Sequence, residues 1–504
     1  MKPRNFIKLS GLYTAGLLVS SSILFLSSCL NNNMDMGGNM GGNMGNMNMG
    51  QPVPVTEGNF TTPLAIPAIV GATTTLTPQN VSTNIPGFGI VSGLGYTPTG
   101  LLGPTIKVNS GAAVNINLVN QLNEKTNIHW HGLKIPAAMD GHPDNTVSAG
   151  STFNYNFTVN QRAGLYWYHP HTEMLTGKQV FRGLAGLFIV NDAAETALNL
   201  PSGNRELPLV IQDKIISSGT IPYAPSMMEV MTGLMGQYVL VNGGYAPIQN
   251  VETAKYRVRI LNGSNARVYN LALSNGASFT IIGNDGGLLN NPQKVNSLLV
   301  GPGERADLII DFSQTALNSE LFLISKMFSG GGNAQGTQEF KIMKFKTTSQ
   351  VVDNFTVPAT LSSINPLTES MATISRNFDI QNTDLGSMNG SAMTHTINNK
   401  VFDTNRIDEL IANGAIEVWT FDNTKGVEPH PMHLHGVQFQ ILSRTGGRNS
   451  LIPSEKGWKD MVLCMPGEKV KIIIPFNAYA GKFLFHCHNL EHEDSGMMGQ
   501  YKVN

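Results

Sequence analysis

From about residue 60 to the end, short runs rich in Val, Ile, Leu and Phe recur between Gly, Asn and Pro punctuation. Val114-Asn115-Ile116-Asn117-Leu118-Val119 alternates apolar with polar, and Tyr256-Arg257-Val258-Arg259-Ile260-Leu261 does the same until its last residues. Val470-Lys471-Ile472-Ile473-Ile474 is nearly continuous. A period of two is the period of a strand, and many short strands separated by turn residues predict an all-β chain of Greek-key sandwiches or barrels. At roughly 150 residues per domain the patterned region holds three. Their expected limits are 59–200, 201–350 and 386–504, with 351–385, poor in strand signals, as a linker.

The first residues are patterned differently. Lys2, Arg4 and Lys8 precede an apolar run from Gly11 to Leu26 and then small residues, the layout of an export signal over 1–29. Leu26-Ser27-Ser28-Cys29 resembles a bacterial lipobox, which predicts a periplasmic protein attached to a membrane through a lipidated Cys29; an ordinary cleaved signal with an incidental Cys is the alternative. No later segment is apolar enough to span a bilayer. Residues 30–58 hold Met34, Met36, Met40, Met44, Met47 and Met49 among Gly and Asn. Such a segment has too little apolar surface to order itself, so it reads either as a tether or as a soft-ligand capture arm for Cu(I).

Only 13% of residues are charged and the formal net charge is -1, which argues against a nucleic-acid partner. The three cysteines, Cys29, Cys464 and Cys487, leave no expected disulfide if the first is lipidated and the last binds a metal; Cys464, in an apolar run, reads as a packing thiol.

The candidate chemistry is concentrated in the histidines. Four His-x-His pairs occur, at His129/His131, His169/His171, His433/His435 and His486/His488; with His430 and His492 they leave only His142 and His395 outside. On a strand, residues i and i+2 share a face and i+1 takes the other, so His486 and His488 can serve one metal centre while Cys487 serves a second. His430, Cys487, His492 and Met497 are two imidazoles, a thiolate and a thioether, the ligand set of a blue copper site. Ten histidines are too many for one zinc, which takes three or four ligands.

The segments His129-Trp130-His131-Gly132, Tyr168-His169-Pro170-His171, His430-Pro431-Met432-His433-Leu434-His435 and His486-Cys487-His488 through Met497 resemble the four copper motifs of the multicopper oxidases, with most likeness to bacterial copper efflux oxidases and bacterial laccases. Gly301-Pro302-Gly303-Glu304-Arg305 and Gly457-Trp458-Lys459-Asp460 extend the resemblance, which spans roughly 60 to 504. It implies three cupredoxin domains, with the second as a spacer, in a chain that acts as a monomer. It implies four copper ions. His430, Cys487 and His492 would hold type 1 copper with Met497 axial, His129 and His433 type 2, and His131, His169, His171, His435, His486 and His488 the type 3 pair. Cys487 would carry electrons to the cluster, and Asp140 and Glu493 would supply protons to it.

Asp140-Gly141 also reads as a turn and Glu493 as a loop carboxylate. Glu428, beside His430, is a candidate hydrogen-bond acceptor or cation holder. The resemblance implies dioxygen as the electron acceptor and Cu(I) or a small aromatic molecule as the reductant. A dedicated phenol oxidase and a non-enzymatic copper store are the alternatives. Lys425-Gly426-Val427-Glu428-Pro429 lacks the Asp and Met of the copper efflux pattern, whose Met-rich insertion is also missing. Met227, Met228, Met231 and Met235 could replace it, although their helical spacing favours packing; Met388 and Met393 are equally open.

Overall fold

The computed structural model describes residues 51–504 apart from Asn333, residues 385–392 and Ala478. The export signal, Cys29, the methionine tail and Met388 lie outside the described residues, as does the side chain of Met393.

Three two-sheet sandwiches follow one another along the chain. In the first, a five-stranded sheet ending in Gly164–His169 and His129–His131 faces the three strands Thr73–Leu76, Ala113–Val119 and Thr152–Thr158. The alternation at 114–118 works as its sequence predicts, with Val114, Ile116 and Leu118 buried in a core shared with Trp130, Tyr155 and Phe188. The middle sandwich pairs a seven-stranded sheet with a six-stranded one around Leu209, Val258, Ile260, Leu308 and Phe345. The third pairs two five-stranded sheets around Trp419, Phe421, Ile472, Phe485 and Cys487. Some strands that are distant in sequence pair in parallel, for example Thr105–Asn109 with Gly186–Asn191, so the sheets are mixed.

Two segments differ from the sequence expectation. Thr62–Pro63 pairs with the middle sandwich through Pro247 and Ile248, so the chain visits that sandwich before building the first. The stretch expected as a linker is strand-free only as far as Thr373. Ile374–Asp384 is a strand paired in parallel with Ile416–Asp422, and it buries Phe378 and Ile380 in the third core. Among the described residues no helix is long and apolar enough to cross a membrane.

Candidate metal centre

Strand pairing assembles one group of ligands. His430–Leu434 lies antiparallel between Met461–Cys464 and Gly481–Cys487, with Met432 opposite Cys487 and His433 opposite His486. Because the faces alternate, Met432 and Cys487 turn into the third core while His433 and His486 turn away from it. The short helix Leu490–Asp494 then carries His492 back. Cys487 Sγ lies 3.5 Å from His430 Nδ1 and 3.7 Å from His492 Nδ1, and the two nitrogens are 3.2 Å apart. A point equidistant from the three atoms is about 2.0 Å from each, close to a first-row metal–imidazole bond. Met497 is fully buried in the same core, and its carbonyl accepts the Cys487 N–H at 3.1 Å. Burial pushes the Cys487 thiol well above its ordinary range, so a thiolate here needs a bound cation.

The other eight paired histidines form a second group, all buried. Strand register sets His129 opposite His169 and His131 opposite Trp167, and Trp130 between the first pair points into the core. Their nitrogens fall into three sets: His129, His131 and His433; His131, His169 and His488; His171, His435 and His486. Tautomers follow from the hydrogen bonds. The carbonyls of Asp140, Asp460, Pro170 and Cys487 accept from Nδ1 of His129, His433, His169 and His486 at 2.8, 2.8, 2.8 and 3.1 Å. A carbonyl cannot donate, so each Nδ1 carries the proton and each Nε2 a lone pair.

The Nε2 lone pairs of His129 and His433 face each other 3.3 Å apart, and Nε2 of His486 lies 3.1 Å from Nε2 of His435, whose Nδ1 is engaged by the Asp140 carboxylate. Without a cation such pairs repel. Among the described residues neither nitrogen of His488 has a hydrogen-bond partner. Burial lowers the pKa of His129, His131, His171, His433, His435 and His488, and that of His169 to about 3, so these imidazoles are neutral, as ligands must be. The donor set and its geometry fit metal.

Comparison with known proteins decides which metal. Residues 97–195, 216–344 and 375–504 each match a multicopper oxidase family model. A multicopper oxidase of Staphylococcus haemolyticus is 38% identical over 416 residues, covering 81% of this chain and 83% of the relative. The chain belongs to the multicopper oxidase family. A laccase of Bacillus subtilis is 34% identical, covering 74% of this chain and 79% of that one. The crystal structure of the McoA multicopper oxidase from Aquifex aeolicus superposes with a TM-score of 0.80 at 35% identity, covering 88% of this chain and 99% of that one. This multicopper oxidase is therefore an all-β copper oxidoreductase built from cupredoxin-like sandwiches.

The remaining candidates take definite places in this multicopper oxidase. Asp140 is fully buried; Oδ2 accepts from His435 Nδ1 at 2.7 Å, while Oδ1 has no hydrogen-bond partner among the described residues. Burial raises its pKa well above the carboxylate range. Glu493 lies 3.5 Å from His171 Nε2 and 3.1 Å from His486 Nδ1, so it is buried between cluster histidines rather than solvated. Glu428 is buried 3.4 Å from Asn382 Nδ2, and burial raises its pKa to about 7. Cys464 is a buried free thiol in the third core, as expected of a packing residue.

Of the methionines of 227–235, Met235 packs against Ala266 and Ala334, whereas Met227 and Met228 do not pack. On the helix Met227–Thr232, Met227 is 84% and Met228 45% exposed, and only Met235 is buried. The helix has six residues, too few for its apolar face to be read from periodicity. Its Met231 carbonyl accepts from His492 Nε2 at 3.0 Å, which sets the helix beside the Cys487 group.

Three residues were not singled out for chemistry in the sequence. His395 stacks on His492; Asp460 and Arg305 meet behind the histidine cluster. Both of the latter stand in segments that marked the family resemblance, which was the available signal. The middle domain is also more than a spacer, since Gly303 abuts the His488 ring.

Proposed function

We propose that this multicopper oxidase holds four coppers and couples one-electron oxidation of Cu(I) or of phenolic and other aromatic donors to four-electron reduction of dioxygen to water. The carrying observation is the contiguity of His486, Cys487 and His488. One strand end contributes a thiol to the first ligand group and two imidazoles to the second. His430, Cys487 and His492, with Met497 as a weak axial partner, would hold type 1 copper. His129 and His433 would hold type 2; His131, His169 and His488, with His171, His435 and His486, would hold the type 3 pair. Copper in these places supplies the one-electron storage that a four-electron reduction requires.

The protein's own part is positioning and proton handling. The backbone carbonyls fix the imidazole tautomers, and the Cys487 peptide joins the two groups covalently. Asp140 Oδ1, buried and without a hydrogen-bond partner among the described residues, and the Glu493 carboxyl are the groups able to hold a proton beside the cluster. The exposed thioethers of Met227 and Met228 favour Cu(I) as a donor, since soft sulfur selects it. A periplasmic place and a lipidated Cys29 complete the reading, with copper tolerance as its use.

Copper content and oxygen uptake test it on the copper-loaded protein, with Cu(I) and a phenol as alternative donors. Four coppers per chain and uptake with either donor are expected. Copper binding without oxygen uptake would leave a storage protein. Replacing Met227 and Met228 with Leu should slow Cu(I) oxidation and spare the phenol. Equal effects on both donors would favour a dedicated laccase.

A further inference from the structure

Arg305 stands at the start of the strand Arg305–Asp311, in the middle sandwich, yet its side chain is wholly buried among the other two. All five of its guanidinium N–H groups are used. Nη1 and Nη2 each donate to one oxygen of Asp460 at 2.6 Å, in a bidentate fork. Nε donates to the Leu165 carbonyl of the first sandwich, and the two remaining hydrogens go to the carbonyls of Gly303 and Asp285, each at 3.0 Å. One side chain thus ties together three parts of the chain with no donor to spare.

Asp460 is the other half of the arrangement. Its Oδ1 lies 3.2 Å from His131 Nε2, and its backbone carbonyl accepts from His433 Nδ1 at 2.8 Å. One residue therefore faces a histidine from the first sandwich and another from the third. The neighbouring Lys459 is anchored in turn by Asp285 at 2.6 Å and Glu304 at 3.1 Å, both from the middle sandwich. The approach is close enough to dictate sequence: Gly132 has φ +86°, and a Cβ there would collide with the Asp460 carboxylate and sit 2.8 Å from Arg305 Nη2. Buried ion pairs add little net stability compared with apolar packing of the same volume, so a pair this enclosed is better explained by the geometry it imposes.

We infer that Arg305 is a positioning residue for the copper cluster. Acting through Asp460, it fixes the placement of His131 and the orientation of His433, so the middle domain takes part in building a centre to which it gives no ligand. This rests on the proposed assignment of those histidines as copper ligands. Supports of this kind typically change metal retention by about 10- to 100-fold when removed. Among the described residues no hydrogen bond or ion pair joins either residue to His430, Cys487 or His492, so the Cys487 group serves as an internal control.

The test compares wild type with Arg305→Lys and Asp460→Asn in the full copper-loaded chain. Lys keeps the charge but not the fork. Copper retained against a chelator, the type 2 electron paramagnetic signal and the type 3 near-ultraviolet band are read beside the blue band. Both variants should keep the blue band and lose cluster copper at chelator concentrations about 10- to 100-fold lower than wild type does. Cluster signals equal to wild type in both variants would overturn the inference, as would parallel loss of the blue band, which would show only a folding role. If Arg305→Lys fails to fold, Asp460→Asn decides alone, because it keeps the volume and removes the charge. Absence of cluster copper in wild type would instead refute the underlying assignment.

Discussion

The imidazole of His395 lies face to face with that of His492, ring centroids 3.5 Å apart and 18° between planes. His395 is wholly buried. Desolvation lowers its pKa well below the ordinary range, so the ring is neutral and presents a π face to His492, the proposed type 1 ligand, whose ring would become more cationic on oxidation of that copper. Gain of cationic character in the stacked ring would favour the oxidised site by at most about 0.5–1 kcal/mol, the strength of a weak cation–π contact. His395→Leu keeps the pocket dry while removing the π face, and should raise the type 1 potential by up to roughly 20–40 mV. His395→Phe should keep it near wild type. Redox titration of the blue band checks both, and an unchanged potential in His395→Leu would reduce His395 to a space-filling role.

Cys487 is the one residue that belongs by its side chain to the triad and by its neighbours to the cluster. Cys487→Ser should abolish the intense visible absorption and nearly all turnover, while the eight histidines, whose mutual geometry does not involve Sγ, still hold copper. Copper analysis of the variant should give three ions per chain. A blue, active Cys487→Ser protein would falsify the assignment.

What was legible in the sequence was what strand geometry enforces locally. His-x-His reads as two imidazoles on one face because the side-chain period is two, and the structure turns Trp130 and Cys487 to the opposite face accordingly. The link between Arg305 and Asp460 was not legible, because domain packing and not local pattern makes it. His395 was hidden for a different reason. It sits on Met393–Ile397, paired with Ile374–Asp384, and the polar spacing of those segments gave no strong strand signal. The exposed faces of Met227 and Met228 were lost in a helix of six residues.

Met497 is held by two backbone hydrogen bonds, its carbonyl to Cys487 and its N–H to the His492 carbonyl at 2.9 Å, so its placement does not depend on the thioether. Met497→Leu should therefore preserve the fold, the copper content and the blue colour. A weak axial sulfur tunes potential more than it retains metal, and its loss should shift the type 1 potential measurably. An unchanged potential would assign Met497 to packing in the third core.

Asp140 joins two histidines by different atoms: its backbone carbonyl accepts from His129 Nδ1, and its Oδ2 accepts from His435 Nδ1. The first contact survives any substitution of the side chain. The second can be kept by an amide oxygen, so Asp140→Asn preserves both orientations and removes only the capacity to release a proton from the carboxyl. All four coppers, the blue colour and reduction of type 1 copper by donor should persist. Steady-state oxygen consumption should fall by about 10- to 100-fold, within the range for losing acid–base assistance. Loss of type 2 or type 3 copper from the variant would show that the Oδ2 contact is chiefly a support for His435. Wild-type turnover in a fully metallated variant would remove Asp140 from proton delivery and leave Glu493, 3.1 Å from His486, as the carboxyl to test next.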